Sequence, residues 1–365
     1  MIAKLRKNWL LLLCLLMALL CGECLLGLRG VKNTLRSQQA AERWRGDNSL
    51  AFAQVTCCMP SGSGLSMEQL YAFKNEMAKK LIAASFDLEK TTGLYADAWS
   101  SFGTVRVSAG RRSGEVQANA VGGRFFDFHP LHLVSGNYLS PDDVMDDRVL
   151  LDRETAWLLF GGTELSGMSF SINGVPFVVA GVYDHDGDRF TRRAVDEGVM
   201  SIYMSWEGYR RLISQGQEKL QEPPVSCYEL VMAEPVTGFA YSAAKEKFPV
   251  KTADVIDNSH RYETGRLLRL LRDLGERSMR KSDAAYPYWE NAARSSEDSA
   301  ALLLGTALLL GAFPAVVLIW QVIRLLVFGK RELEEDLIPK ARDNIEEAVR
   351  VRARRRWEKK HPDRR

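Results

Sequence analysis

The chain has 365 residues, of which 46% are hydrophobic and 26% are charged, and its formal net charge at pH 7 is only +3. A total so close to neutral gives no broad cationic face, which excludes the kind of surface that binds a nucleic-acid backbone. The basic residues instead lie beside two long apolar runs and near the C-terminal end. These apolar runs therefore decide the first interpretation of the chain.

The first apolar run extends from Trp9 to Leu28 and follows a short basic segment, residues 1–8. A helix of this length rises about 1.5 Å per residue and crosses a hydrocarbon core of roughly 30 Å. The alternative is a cleaved secretory signal, but a signal has a shorter apolar core and small residues at its cleavage site. The sequence therefore predicts an uncleaved transmembrane helix over residues 9–28.

The second apolar run predicts another transmembrane helix, over residues 300–327. It contains Pro314, which removes a backbone hydrogen bond and predicts a kink of a kind that membrane helices tolerate. Amphipathic rings are common at the water interface of a membrane, and three precede this run: Tyr286, Tyr288 and Trp289. We expect these three rings to lie at that interface.

Basic residues predict the orientation, because they favour the cytoplasmic side of a membrane. The charged tail, residues 328–365, combines with the basic N-terminal segment to place both termini in the cytoplasm. Arg29, Lys32 and Arg36 oppose this orientation but are outnumbered. Residues 29–298 are therefore predicted to form an extracytoplasmic domain between the two transmembrane helices.

The outer region begins with a predicted polar helix over residues 29–45, which would form a short stalk. A strand follows over residues 50–58, and a helix then begins at Ser66, which forms a capping-box pattern with Gln69. Apolar residues give this helix one buried face: Leu70, Phe73, Met77 and Leu81.

A second strand-helix-strand unit is predicted over residues 228–232, 238–248 and 250–256. Two such units far apart in the chain predict a split βαβ lobe, in which both halves share one sheet. The insertion between them, residues 102–224, has short alternating runs and an Asn173-Gly174 hairpin signal, so we expect a β-rich inserted lobe. The predicted class is α+β, a two-lobed domain between two transmembrane helices.

Cys14, Cys21 and Cys24 lie in the first apolar run and are expected to act as small apolar residues. The outer region has three further cysteines, and two interpretations of them stay open. One of the adjacent pair, Cys57 and Cys58, bridges to Cys227 if their strands are neighbours, or all three are buried thiols. The sequence alone does not give the pairing.

Residues 148–161 and 165–182 follow the order strand, helix ending near Leu-Phe-Gly, glycine-containing turn and hairpin. These segments resemble the periplasmic core domain of MacB-type ABC transporter permeases. The segment 125–139, which leads to the acidic turn at 141–143, resembles the same domain. Family members usually continue with three further membrane spans of the FtsX type, whereas this chain has one apolar run after the domain. The resemblance implies partners, namely a separate cytoplasmic ATPase, other permease subunits and homo- or hetero-oligomers.

Candidate chemical sites are weak. The segment 110–115 lacks the Gly-Lys-Ser/Thr ending of a phosphate loop. Zinc-type ligands occur at His129, His132 and Asp127 and in the acidic run 184–188, but Pro130 breaks any helix of the zincin kind between the two histidines. The acidic run also lacks the residue pattern of a calcium-binding loop. Ser61 and Ser63 lack a nucleophile elbow. No catalytic, cofactor-binding or metal residue is therefore predicted, and the protein is not expected to be an enzyme.

Two charged helices stay open to more than one interpretation. The predicted helix 261–281 carries a leucine stripe among arginines, which favours packing within the domain over binding a partner or membrane surface. The tail from Pro339 forms a solvated anchor, or binds anionic lipid or a partner ATPase.

The predicted function is a permease-related membrane subunit of an ABC transport system that transmits motion between a separate ATPase and the outer domain. The alternative is a stand-alone, membrane-anchored binding, sensing or scaffold protein. Neither assigns a substrate.

Overall fold

The computed structural model describes residues 2–86, 93–139, 145–195, 198–273, 286–332 and 338–360. The chain divides into two compact units. One consists of Met1–Leu26 and Gly305–Arg365, and the other of Gly27–Leu304. The first unit is helical, and the second contains the sheet.

Three helices contribute to the first unit: α1 (Ile2–Thr34), α10 (Tyr288–Glu332) and α11 (Ile338–Lys360). Among the described residues, two helical segments are long and apolar enough to cross a membrane, Trp9–Thr34 and Tyr288–Val327. Both apolar runs predicted to span lie inside them. Helix α10 continues through Pro314, so the proline does not end it.

The strands of the described part of the second unit form one sheet. They are β1 (Phe52–Cys58), β2 (Tyr95–Ala109), β3 (Arg112–Gly123), β4 (His132–Gly136), β5 (Arg148–Asp152), β6 (Ser169–Ile172), β7 (Val175–Asp184), β8 (Ser201–Ser205), β9 (Cys227–Ala233) and β10 (Asp254–Asp257). The helices are a 3-10 turn (Arg36–Gln39), α2 (Ala40–Arg45), α3 (Met67–Ala83), α4 (Phe125–Phe128), α5 (Arg153–Leu159), α6 (Arg189–Ala194), α7 (Trp206–Ile213), α8 (Phe239–Lys247) and α9 (Thr264–Asp273).

The order of the strands is β10-β1-β9-β2-β3-β8-β5-β7-β4, and β6 pairs with both β2 and β7. The pairs β3–β8 and β5–β7 are parallel, and the others are antiparallel. Strand β1 lies between β9 and β10, so the two distant halves of the chain share one sheet, as predicted. Strand β2 pairs with β9 over residues 95–100 and with β6 at residues 107–108. Residue 102, the predicted edge of the inserted lobe, lies inside this strand.

Helix α3 has the predicted capping box, because Ser66 Oγ accepts from the Gln69 backbone and the Gln69 side chain accepts from the Ser66 backbone. Its four predicted apolar residues are buried. Phe73 packs edge-on against Tyr228 at 5.6 Å and against Phe248 at 5.1 Å between ring centres. Helices α3 and α8 therefore cover one face of the β1–β9 pair.

The predicted hairpin joins β6 to β7. Asn173 and Gly174 have φ values of 49° and 84°, and two successive positive values are the mark of the type I′ turn that suits a two-residue hairpin. The preceding β5–α5 segment also matches its prediction, since Asp152 caps α5 by accepting from the Thr155 backbone at 2.6 Å. Gly161, at the end of this segment, has a φ of 76°.

The predicted continuous stalk helix over residues 29–45 is wrong. Helix α1 ends at Thr34, and Leu35 is extended with φ −88° and ψ 111°. Val31 and Leu35 are buried in a cluster with residues of α9 and α10, and Ala40 and Ala41 are buried in the core beside the sheet. The chain turns at Leu35 because both sides of the turn bury apolar surface within the unit.

The expected interfacial position of Trp289 is also wrong. Its side chain is 3% exposed, and its ring packs within 6 Å of the rings of Phe102, Phe125 and His129. Helix α10 begins well before the apolar run, and its first turns belong to the core of the sheet unit.

The leucine stripe packs within its own unit, as favoured by its spacing. Leu267 and Leu270 of α9 are buried in a cluster with alanines of α10, while Leu268 is 43% exposed. The residues of the predicted helix from Leu274 onward lie outside the described part of the chain.

Candidate functional site

A series of buried polar side chains crosses the sheet unit from the loop after α4 to helix α10. We call it the buried polar chain, and its members are His129, Glu229, Thr56, Asn258, Arg261, Glu290 and Glu297. None of the seven exposes more than 4% of its surface. Because buried polar groups are stable only when they are paired, the partners of each member define the site.

The first part of the buried polar chain lies on the sheet. Thr56 of β1 stands directly opposite Glu229 of β9, so the antiparallel register brings their side chains together. The Thr56 hydroxyl donates to Glu229 Oε1 at 2.9 Å, and the Asn258 amide donates to Thr56 Oγ1 at 2.8 Å. His129 Nε2 is hydrogen-bonded to the other oxygen of Glu229. Glu229 is therefore held from both sides.

The second part joins the sheet to α10 through Arg261, which is fully buried. Its Nη2 donates to Asn258 Oδ1 at 3.3 Å and to Glu290 Oε2 at 2.7 Å, and its Nη1 donates to Glu297 Oε2 at 3.3 Å. Glu290 and Glu297 are seven residues apart, about two helical turns, so they lie on the same face of α10. One guanidinium thus binds two carboxylates of one helix.

Two further arginines surround this centre. Arg266 Nε donates to Glu297 Oε1 at 3.1 Å. Arg294 Nε donates to Glu290 Oε1 at 3.3 Å, and its Nη2 donates to Asp254 Oδ2 at 2.8 Å. Each buried carboxylate therefore has two arginine partners. A cavity of about 540 Å³ adjoins the cluster.

The electrostatics of the centre favour a charged arginine. Burial by itself lowers the pKa of Arg261, but Glu290 and Glu297 more than offset it and raise the pKa above the ordinary value. Removing one partner of such a buried pair leaves an uncompensated charge, which costs about 3–5 kcal/mol. The centre consequently links β10 and the following segment to α10 by contacts that are costly to break.

His129 also has an aromatic environment. Its ring lies 4.7 Å from the ring of Phe125 and 4.6 Å from that of Trp289, measured between ring centres. Its Nδ1 has no hydrogen-bond partner among the described residues, and a cavity of about 30 Å³ lies beside it. His129 is thereby packed between α4 and the first turn of α10.

The other candidates from the sequence are dispersed. The Asp184 carboxylate binds Arg153, and Asp188 caps α6 through the Phe190 and Thr191 backbones at 2.8 and 3.0 Å. His132 is exposed in β4, and Asp127 pairs with Arg124 at the surface. Within the ranges that the structure describes, no group of three or more His, Cys, Asp or Glu side chains could hold a metal ion.

The loop serines and the acidic turn add no site. Ser63 Oγ donates to the Pro60 carbonyl at 2.9 Å, which stabilises the loop locally. The acidic turn at residues 141–143 lies outside the described residues.

Residues 28–248, more than half of the chain, match the model of the MacB-like periplasmic core domain. The chain belongs to this family. The resemblance predicted from the sequence is confirmed, and so is the α+β class. With apolar helices of spanning length on both sides of its MacB-like periplasmic core domain, the chain is a membrane protein.

Three solved structures that are similar to this chain have low sequence identity to it. The extracellular domain of the noncanonic ABC-type transporter YknZ from Gram-positive bacteria is 16% identical, and the match covers 54% of this chain and 90% of that domain with a TM-score of 0.36. The periplasmic region of MacB from Actinobacillus actinomycetemcomitans is 14% identical, with 65% and 99% coverage and a TM-score of 0.41. A domain assigned to a permease protein of Porphyromonas gingivalis is 12% identical, with 53% and 79% coverage and a TM-score of 0.31. Among curated proteins, none matches this chain.

The buried polar chain extends beyond the MacB-like periplasmic core domain as matched. Thr56, His129 and Glu229 lie inside residues 28–248, whereas Arg261 and its partners on α10 follow that segment. The sequence did not predict the buried polar chain, although it contained one signal of it: Glu229 interrupts an apolar run predicted to be a strand. A carboxylate in a buried strand requires a partner, but its partners lie at distant positions.

Proposed function

We propose that this protein is a permease-related membrane subunit of an ABC transport assembly, and that it transmits motion between a separate cytoplasmic ATPase and its MacB-like periplasmic core domain. One observation carries the proposal. Helix α10 supplies both a segment of membrane-spanning length and the two carboxylates that bind Arg261 of the sheet unit. A displacement of α10 along its axis would pull on that buried centre.

The proposed mechanism is mechanical. Both termini lie in the cytoplasm, with residues 29–298 outside and residues 328–365 as a charged tail within reach of a partner. ATP-driven association of partner subunits moves the two spans, and α1 and α10 pass the motion outward. Burial of Val31, Leu35 and Trp289 attaches the outer ends of both helices to the sheet unit. No residue is assigned a role in bond-making chemistry.

Affinity purification of the tagged full-length protein from its native membrane tests the proposal. The membrane is dissolved in a mild detergent, and the proteins that accompany the chain are identified by mass spectrometry. Recovery of an ABC ATPase or of a multi-span permease is the expected result. Repeated preparations that contain neither would overturn the transport mechanism.

A stand-alone binding or sensing protein is the second candidate, and a cavity favours it. The cavity has a volume of about 290 Å³ and is lined by Phe102, Asn119 and Tyr288, among others. Asn119 is 3% exposed, and a buried amide at a cavity wall can serve as a hydrogen-bond donor and acceptor for a small ligand. Purification that yields the chain alone favours this function.

A further inference from the structure

Two cysteines face each other across neighbouring strands of the sheet. Cys58 of β1 and Cys227 of β9 are directly opposed in the antiparallel register, and their Sγ atoms are 3.8 Å apart. The two sulfur atoms are not bonded at this distance, and both side chains are buried. They form a small cluster of their own with Ile256 and Tyr286, beside the pair of Thr56 and Glu229.

The hydrogen bonds of the ladder define the kind of position that the two cysteines occupy. The Met59 backbone N–H donates to the Ser226 carbonyl at 2.9 Å, so the next pair along the ladder is the hydrogen-bonded one. Cys58 and Cys227 therefore form a non-hydrogen-bonded pair, in which Cα atoms are about 4.5 Å apart and side chains are closest. A disulfide needs Cα atoms roughly 4.4–6.8 Å apart, so no backbone movement is required.

The strand also separates the two adjacent cysteines. Successive side chains of a strand point to opposite faces, and Cys57 stands opposite Tyr228, in the core cluster formed with α3 and α8. Its thiol therefore faces away from Cys227. The fold selects Cys58, and not Cys57, as the partner of Cys227.

We propose that Cys58 and Cys227 form a disulfide that fastens β1 to β9. One thiol loses its proton and attacks a disulfide of an exchange partner, which gives a mixed disulfide and releases one thiol. The second cysteine, deprotonated in turn, then attacks the mixed bond and releases the partner's other thiol. One S–S bond forms, and two electrons pass to the partner disulfide, the class of oxidant that the reaction requires.

Burial determines when the exchange takes place. The hydrogen bond between Cys227 and Cys58, together with burial, raises the pKa of the Cys227 thiol well above its ordinary value, and a thiol that stays protonated does not react. The exchange therefore takes place while β1 and β9 are still open to solvent during folding. The bond closes a loop from residue 58 to residue 227, which contains the whole inserted region. The proposed disulfide rests on the proposed orientation of the domain, because compartments outside the cytoplasm are oxidising.

The experiment uses the full-length protein in its native membrane. Exposed thiols are blocked with N-ethylmaleimide before lysis, and the protein is then unfolded with the reagent still present, so that buried thiols react, and digested without reduction for mass spectrometry. We expect a peptide pair linked through Cys58 and Cys227, with the maleimide on Cys57. Cys57→Ser keeps the link and is the matched control, whereas Cys58→Ser loses it completely. Separate maleimide adducts on Cys58 and Cys227 in the Cys57→Ser protein would overturn the disulfide.

A second variant separates this proposal from the proposed orientation. Val236 is 70% exposed, so Val236→Cys in the Cys57→Ser background presents a reactive thiol at the surface of the outer unit. A membrane-impermeant maleimide applied to intact cells labels it when the unit faces outward. The linked peptide alone decides the disulfide, and the labelling alone decides the orientation.

Discussion

Replacing Arg261 with methionine tests whether the buried centre holds α10 to the sheet unit. The guanidinium is fully buried and binds Glu290 and Glu297, so the variant leaves two buried carboxylates without it. Breaking one buried pair costs about 3–5 kcal/mol. Because Arg266 and Arg294 still bind the same carboxylates, we expect a total in this range and not twice as much.

The expected loss is large enough to measure by heating. For domains of 150–250 residues, 1 kcal/mol shifts the unfolding midpoint by roughly 2–4 °C, and the shift becomes smaller as the domain becomes larger. The sheet unit, Gly27–Leu304, exceeds that size, so the low end of the range applies and Arg261→Met lowers the midpoint by roughly 6–10 °C. The assay is thermal unfolding of the full chain in detergent, followed by near-ultraviolet circular dichroism. Arg272→Met is the control, since the Arg272 side chain is 81% exposed and pairs only with the exposed Asp273 among the described residues.

A third variant distinguishes lost pairing from lost packing. Glu290→Gln and Glu297→Gln added to Arg261→Met remove the two carboxylate charges that Arg261 no longer balances, and we expect part of the lost stability to return. If Arg261→Met unfolds at the same temperature as Arg272→Met, the centre contributes no stability, and the mechanical link drawn from it is wrong.

Three further predictions follow the same design. His129→Phe leaves the buried Glu229 without one partner and lowers the free energy of unfolding in urea by about 1–3 kcal/mol. His132→Phe, at an exposed position, leaves the free energy of unfolding unchanged. Equal urea midpoints for the two variants would contradict this prediction. Gly136→Ala places a Cβ 2.2 Å from the Ala180 carbonyl oxygen at a φ of 76°, so we expect a lower yield of folded protein in size-exclusion chromatography. Gly162→Ala is the control, because a Cβ at Gly162 meets no atom within 4 Å. Matching elution profiles for the two variants would refute the clash. The hydrogen bond from Arg153 lowers the pKa of Asp184 below its ordinary 3.8, so the ion pair stabilises the fold above pH 3.8 and is lost as the pH falls through the lowered pKa. The difference in unfolding midpoint between the natural protein and Arg153→Gln should therefore shrink from about pH 7 to about pH 2. A difference that stays constant over this range would exclude the ion pair as its cause.

Local signals in the sequence predicted local structure well. The Ser66 and Gln69 capping pattern and the Asn173-Gly174 turn depend on residues close in the chain, and both form as expected. The shared sheet of β1 and β9 was also predictable, because each strand belongs to a strand-helix-strand unit with an incomplete sheet of its own.

Long-range packing was not predictable in the same way. The turn at Leu35 and the burial of Trp289 depend on surfaces that only the folded unit brings together. The buried polar chain joins Thr56 to Glu229 across 173 residues and Arg261 to Glu290 across 29 residues. A polar residue in one segment gives no signal of which distant segment pairs with it, so these contacts required the structure.

Strand β2 has a consequence for attempts to divide the protein. Its first residues pair with β9 and its last with β6, and its partner β3 runs along most of its length. Excision of residues 102–224 would cut β2 in its middle and remove β3 altogether. The remaining edge would expose unpaired backbone groups of the kind that recruit strands from other molecules and cause aggregation. The inserted region is therefore no detachable module, and laboratory truncations or domain exchanges have to keep the outer unit whole.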